Sequence, residues 1–106
     1  MKQVAVIHTA FEDTPRTVAF VEVQDDMEVM EALEYAYRWT NNVMGSWSIK
    51  EKYLDGVGKN GDYNTDVTVM APLIDGMGLR STSMGDQMLF EGKKYKVAML
   101  GFEEVA

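Results

Sequence analysis

Leu79-Arg80-Ser81-Thr82-Ser83-Met84-Gly85-Asp86-Gln87-Met88-Leu89-Phe90-Glu91-Gly92-Lys93-Lys94-Tyr95-Lys96-Val97-Ala98-Met99-Leu100-Gly101-Phe102-Glu103-Glu104-Val105 is the stretch that decides the fold class. Two apolar runs meet at Glu91-Gly92, and the first is entered through Gly85-Asp86, so a polar loop is expected to feed a β-hairpin.

Upstream, Lys2 to His8 carries Val4, Ala5, Val6 and Ile7, and Thr17 to Val23 carries Val18, Phe20 and Val21; both runs read as strands. Phe11-Glu12-Asp13-Thr14-Pro15-Arg16 between them has acidic and Pro punctuation, which makes the pair a hairpin with a long loop. Asp25-Asp26-Met27-Glu28 has the form of a helix start, with Asp25 accepting from first-turn amides and Glu28 reaching back as in a capping box. A helix from Asp26 to about Asn41 follows. Its apolar face is Val29, Met30, Leu33, Ala36 and Tyr37, and its polar face is Glu28, Glu31, Glu34 and Arg38. Glu34 and Arg38 are an i,i+4 pair worth about 0.2–0.5 kcal/mol.

From residue 42 to 65 periodicity fails and Gly, Asn and Asp accumulate, so a long loop is expected, broken by a short strand around Trp47 to Ile49. Asp66 to Leu73 reads as a strand ended by Pro72, and Asp75-Gly76-Met77-Gly78 as a turn. The expectation is one α+β domain over residues 1–106, an antiparallel or mixed β-sheet packed on one main helix, with a C-terminal β-hairpin.

A chain of 106 residues buries enough apolar surface to fold without metals or disulfides. Cysteine is absent, which excludes thiol catalysis, disulfides and thiolate metal sites. No secretory pattern and no membrane-length apolar run occurs, so a cytoplasmic location is expected. The net charge is −7, from 10 Lys plus Arg against 17 Asp plus Glu, and its field disfavours direct nucleic-acid binding. Residues 1–40 hold eight acids against three bases, and residues 41–106 nine against seven, so the acidic bias lies in the first half. Nine methionines read as gap-fillers of the core before they read as an adaptable surface.

Gly56-Val57-Gly58-Lys59-Asn60-Gly61 matches the dinucleotide pattern in letters but lacks the strand before it and the helix after it, so it reads as a flexible loop. Asn60, Asp62, Asn64 and Asp66 alternate oxygen donors, but the Gly and Glu of a calcium loop are missing, and a solvated turn is expected. No cofactor and no metal is expected. His8, the only histidine, has no second ligand or triad partner in view and reads as structural or exposed. Arg80-Ser81-Thr82-Ser83 with Asp86 sets a fork-shaped cation beside hydroxyls. That is a candidate oxyanion site at Arg80, Ser81, Ser83 and Asp86, or a turn in which Arg80 pairs with an acid of the domain. Tyr35, Trp39 and Trp47, with Tyr53 and Tyr63 downstream, form either a partner-binding patch or a seal over the helix end.

Arg-Ser-Thr-Ser-Met-Gly-Asp, a short apolar run, Gly, Tyr-x-Val and Gly-Phe-x-x-Val resemble the C-terminal segment of small uncharacterised proteins carried by bacteriophages and other mobile elements, with Met84 where Val is usual. The resemblance covers Leu79 to Val105 and implies origin rather than a catalytic role.

Together these readings lead to a non-enzymatic accessory protein that binds a host protein, a nucleic-acid-handling factor among the candidates. Asp25, Asp26, Glu28, Glu31 and Glu34, with Tyr35, Trp39 and Trp47, are the candidate contact residues. Two alternatives stand beside it: a small-molecule or oxyanion-binding or enzymatic domain using Arg80, Ser81, Ser83 and Asp86 with His8, and a self-associating structural component.

Overall fold

The computed structural model describes residues 2–54, 56, 58–70 and 78–105. The strands are β1 (Lys2–His8), β2 (Arg16–Val23), β3 (Tyr53–Leu54), β4 (Gly58–Lys59), β5 (Val67–Val69), β6 (Gln87–Phe90), β7 (Lys93–Ala98) and β8 (Gly101–Glu104), with one helix, α1 (Val29–Trp39). Six strands form a sheet in the order β5-β2-β1-β6-β7-β8, every pairing antiparallel, and β3 and β4 form a separate two-stranded ribbon. The class is α+β, dominated by sheet.

The C-terminal stretch is more than a hairpin. Phe90 pairs with Lys93 across Glu91-Gly92, both at positive φ (50° and 79°), the tight turn whose twist matches its strands. A second turn at Met99-Leu100, closed by Gly101 at φ 85°, adds β8 and makes a three-stranded meander. β6 in turn pairs with β1, so this segment completes the sheet that the N-terminal hairpin begins.

Side chains alternate across the sheet as the pleat requires. Val4, Val6, Ala19, Val21, Val23, Met88, Phe90, Tyr95 and Val97 face the helix and enclose one core with Ala32, Leu33 and Ala36. A bulge between Val6 and Ile7 lets Val18 and Ala19 both be buried. On the opposite face Ala5 stands between Phe20 and Leu89, and among the described residues no helix covers them.

Several expectations are corrected. The helix starts at Val29 rather than Asp26, because the capping box forms one turn later: Glu28 is the N-cap, and its amide donates to the Glu31 carboxylate at 3.3 Å. Met30 is exposed instead of lying in the apolar face, and Ala32 takes its place. Arg38 pairs with Asp62 at 3.2 Å and lies 4.1 Å over the Trp39 ring rather than meeting Glu34. No strand forms at residues 47–49; the strands of this region are β3 and β4. Of the strand expected from Asp66 to Leu73, Val67–Val69 pairs with β2, while residues 71–73 and the turn at 75–77 lie outside the described residues. The methionine reading also inverts: Met88 is core, but Met30, Met44, Met70, Met84 and Met99 are all exposed.

Candidate functional site

The Arg80–Asp86 loop folds around one buried carboxylate. Asp86 Oδ1 accepts the amides of Thr9 (2.8 Å) and Ala10 (2.9 Å), and Oδ2 accepts that of Ser83 (2.8 Å). Arg80 closes the arrangement with two parallel bonds, Nη1 to Oδ2 at 2.7 Å and Nη2 to Oδ1 at 2.9 Å. Burial works to raise the Asp86 pKa, but the guanidinium and the amides of Ala10, Ser83 and Thr9 outweigh it and hold the carboxyl well below the usual range. Ser81 Oγ accepts from the Asn42 amide, and the Ser83 hydroxyl donates to the Ser81 carbonyl. The fork of Arg80 is filled by a carboxylate of the chain itself, and its remaining flank lies 3.5 Å from Glu12. Arg80, Ser81, Ser83 and Asp86 therefore tie the β1–β2 loop to the start of β6, the turn role among the two foreseen.

His8 lies beneath this loop, fully buried, its ring edge-on to Trp47 at 6.2 Å. A relay of hydroxyls fixes its tautomer. Thr40 donates to the Ala36 carbonyl (2.7 Å) and Thr82 donates to Thr40 (2.8 Å), so Thr82 Oγ1 is left to accept, and His8 Nε2 donates to it at 3.0 Å. Nδ1 has no partner. Burial, with smaller contributions from Arg80 and Arg16 against Asp86 and Glu12, pushes the His8 pKa down to about 4. Of the two expectations for this histidine, structural or exposed, its burial removes the second.

The loop from residue 42 to 60 is held by two side chains expected to be solvated. Asp62 Oδ2 accepts the amides of Val43 (2.8 Å), Met44 (3.0 Å) and Gly45 (2.7 Å), while Oδ1 takes Arg38. Asn60 accepts from the Ser46 amide and donates to the carbonyls of Ser46, Ile49 and Glu51. Both are buried, because they replace the backbone pairing that a loop lacks. Among the described residues no cluster of His, Cys, Asp or Glu is arranged to hold a metal.

Trp47 is only 2% exposed, and its indole donates to the Arg80 carbonyl at 2.9 Å. It is core, which removes it from the candidate contact residues. Tyr35 donates to Asp66 at 2.7 Å and accepts from Asn64 at 3.0 Å, and burial raises its pKa. Trp39, half-buried and edge-on to Tyr35, lines a cavity of about 750 Å³ with Met44, Lys52, Tyr53, Lys59 and Tyr63. Sequence spacing had brought the aromatics together but not the lysines, which only the β3–β4 ribbon delivers.

Asp25, Asp26, Glu28, Glu31 and Glu34 are all exposed, from the turn before α1 along its solvent side. Glu34 also borders a groove of about 260 Å³ with Tyr37, Val97, Met99 and Phe102. At its edge the β7–β8 turn holds Met99 and Leu100 in solvent, 82% and 93% exposed.

No family model, curated protein or solved structure matches this chain. Among the described residues no helix is long and apolar enough to cross a membrane.

Proposed function

We propose that this chain is a non-enzymatic binding module, an accessory protein of a phage or other mobile element that occupies a basic surface on a host protein. A nucleic-acid-handling factor is one partner with that chemistry. The observation that carries the proposal is the set of exposed acids before and along α1, the last of which, Glu34, borders a groove whose edge holds the exposed apolar turn at Met99-Leu100. Glu28 and Glu31 also stabilise the helix start, but capping does not account for Glu34. Charge of one sign steers a basic partner and is weakened by salt, while Met and Leu supply adaptable apolar contact.

The oxyanion alternative is less well supported, since the Arg80 fork is already filled by Asp86. Self-association remains the second reading, favoured by exposed Leu89 near half-buried Phe20 on the sheet face opposite α1. Size-exclusion chromatography across concentrations separates the two, because a self-associating component elutes earlier as it is concentrated. Capture from host lysate by the wild-type protein, compared with a Glu28→Gln/Glu31→Gln/Glu34→Gln variant and a Leu100→Ser variant, tests the leading one.

A further inference from the structure

We infer that the cavity between the end of α1 and the β3–β4 ribbon is a binding site for a single nucleotide, its base against the aromatic side chains and its phosphate at Lys52 and Lys59. The cavity, about 750 Å³, falls in the range of small-ligand sites. Its lining is unusual for this chain. Trp39, Tyr53 and Tyr63 give three aromatic rings, Met44 adds a polarizable thioether, and Lys52 and Lys59 are its charged side chains among the described residues.

The parts are held rather than incidental. Trp39 is fixed by Arg38 over its ring at 4.1 Å and by the edge of Tyr35 at 6.4 Å, and Arg38 is itself anchored on buried Asp62. Asp62 also grips the amides of residues 43–45, which places Met44, and buried Asn60 ties the ribbon back to residues 46–51. The Lys52 ammonium stands 6.0 Å from the Tyr63 ring centroid, so cation and aromatic ring occur side by side. Tyr53 is 68% exposed and Met44 63%, so both side chains are accessible to a ligand from solvent.

Rings and ammonium groups in one concavity match a ligand that is flat and aromatic at one end and anionic at the other. Base-on-aromatic stacking tolerates any base, so preference among bases is weak. The whole-chain charge of −7 opposes a polyanion far more than one phosphate, which selects a mononucleotide over a strand. The site is separate from the helix acids, so its failure and that of the proposed partner surface are distinguishable.

The test is titration of the full chain with each of the four nucleoside 5′-monophosphates, followed by the two indole N–H resonances. The Trp39 signal is expected to shift saturably, while that of buried Trp47, bonded to the Arg80 carbonyl, stays in place as an internal control. Adenosine, which lacks the charge, and ribose 5-phosphate, which lacks the ring, are each expected to bind about tenfold or more weakly than the nucleotide. Lys52→Glu/Lys59→Glu, at two exposed positions, abolishes the shift with the fold intact, and Tyr53→Ala weakens it. No saturable shift at millimolar nucleotide, equal binding by ribose 5-phosphate, unchanged affinity in the double lysine variant, or tighter binding of oligothymidylate than of any mononucleotide overturns the inference.

Discussion

Mild acid should destabilise this protein through a single side chain. His8 is buried as the neutral Nε2–H tautomer, and a second proton would go to Nδ1, which has no acceptor. Its pKa falls from the ordinary 6.5 to about 4 on folding. A histidine whose folded value is depressed leaves stability intact above the unfolded value and subtracts from it as pH falls towards the folded one. Linkage over those two values gives a loss of about 2 kcal/mol between about pH 7 and pH 5, approaching about 3 kcal/mol near pH 4. Urea unfolding at closely spaced pH values measures this, and the His8 ring proton shift reports the folded titration directly. His8→Gln keeps a donor for Thr82 and removes the ionisation, so the difference between wild type and variant isolates the histidine from the carboxylates. A ring titration near pH 6.5 in the folded protein, or the same pH slope in both proteins, refutes the buried-tautomer reasoning.

Three further changes probe the parts that hold the candidate surfaces. Asp86→Ala removes the acceptor of three amides and the bidentate partner of Arg80, which keeps only the 3.5 Å ion pair with Glu12, and is expected to cost about 3–5 kcal/mol in chemical denaturation; a loss under about 1 kcal/mol contradicts the keystone role. Gly45→Ala places a Cβ against the Asn60 side-chain oxygen, so the loop must shift, and loss of amide protection at residues 43–46 with β1 and β2 unaffected is the expected hydrogen-exchange result. Leu33→Ala opens a void between α1 and the sheet and should cost about 2–5 kcal/mol, read as a lowered urea midpoint with unchanged slope.

The legible parts of this fold are those where many side chains repeat one period. β1 is a continuous β-branched apolar run, β2 and the β6–β7 hairpin alternate over four or more residues, and α1 repeats its apolar positions over three turns. β3 and β4 have two residues each, too few to show any period, and their Gly and Lys residues read as loop. Trp47-Ser48-Ile49 alternates like a strand by coincidence. Its burial comes from distant bonds, Trp47 to the Arg80 carbonyl and Ser48 accepting the Leu79 amide at 2.6 Å. Asn60 and Asp62 carry ordinary turn chemistry in the sequence, and their buried roles depend on amides well before them in the chain that local reading cannot place beside them. That Arg80 pairs with an acid of the domain was legible as one of two readings, while the sequence did not single out Asp86 as that acid. The lysine-lined cavity was not, since its parts come from three separate segments.

The central claim, an acidic and apolar surface that engages a basic host protein, is tested most directly by pull-down from host lysate at low and high salt, with wild type and Glu28→Gln/Glu31→Gln/Glu34→Gln compared side by side. The account predicts one stoichiometric partner, released by high salt and lost with the triple variant while its urea midpoint stays close to that of the wild type. An identical set of bound proteins for both chains, or no partner at either salt, contradicts it.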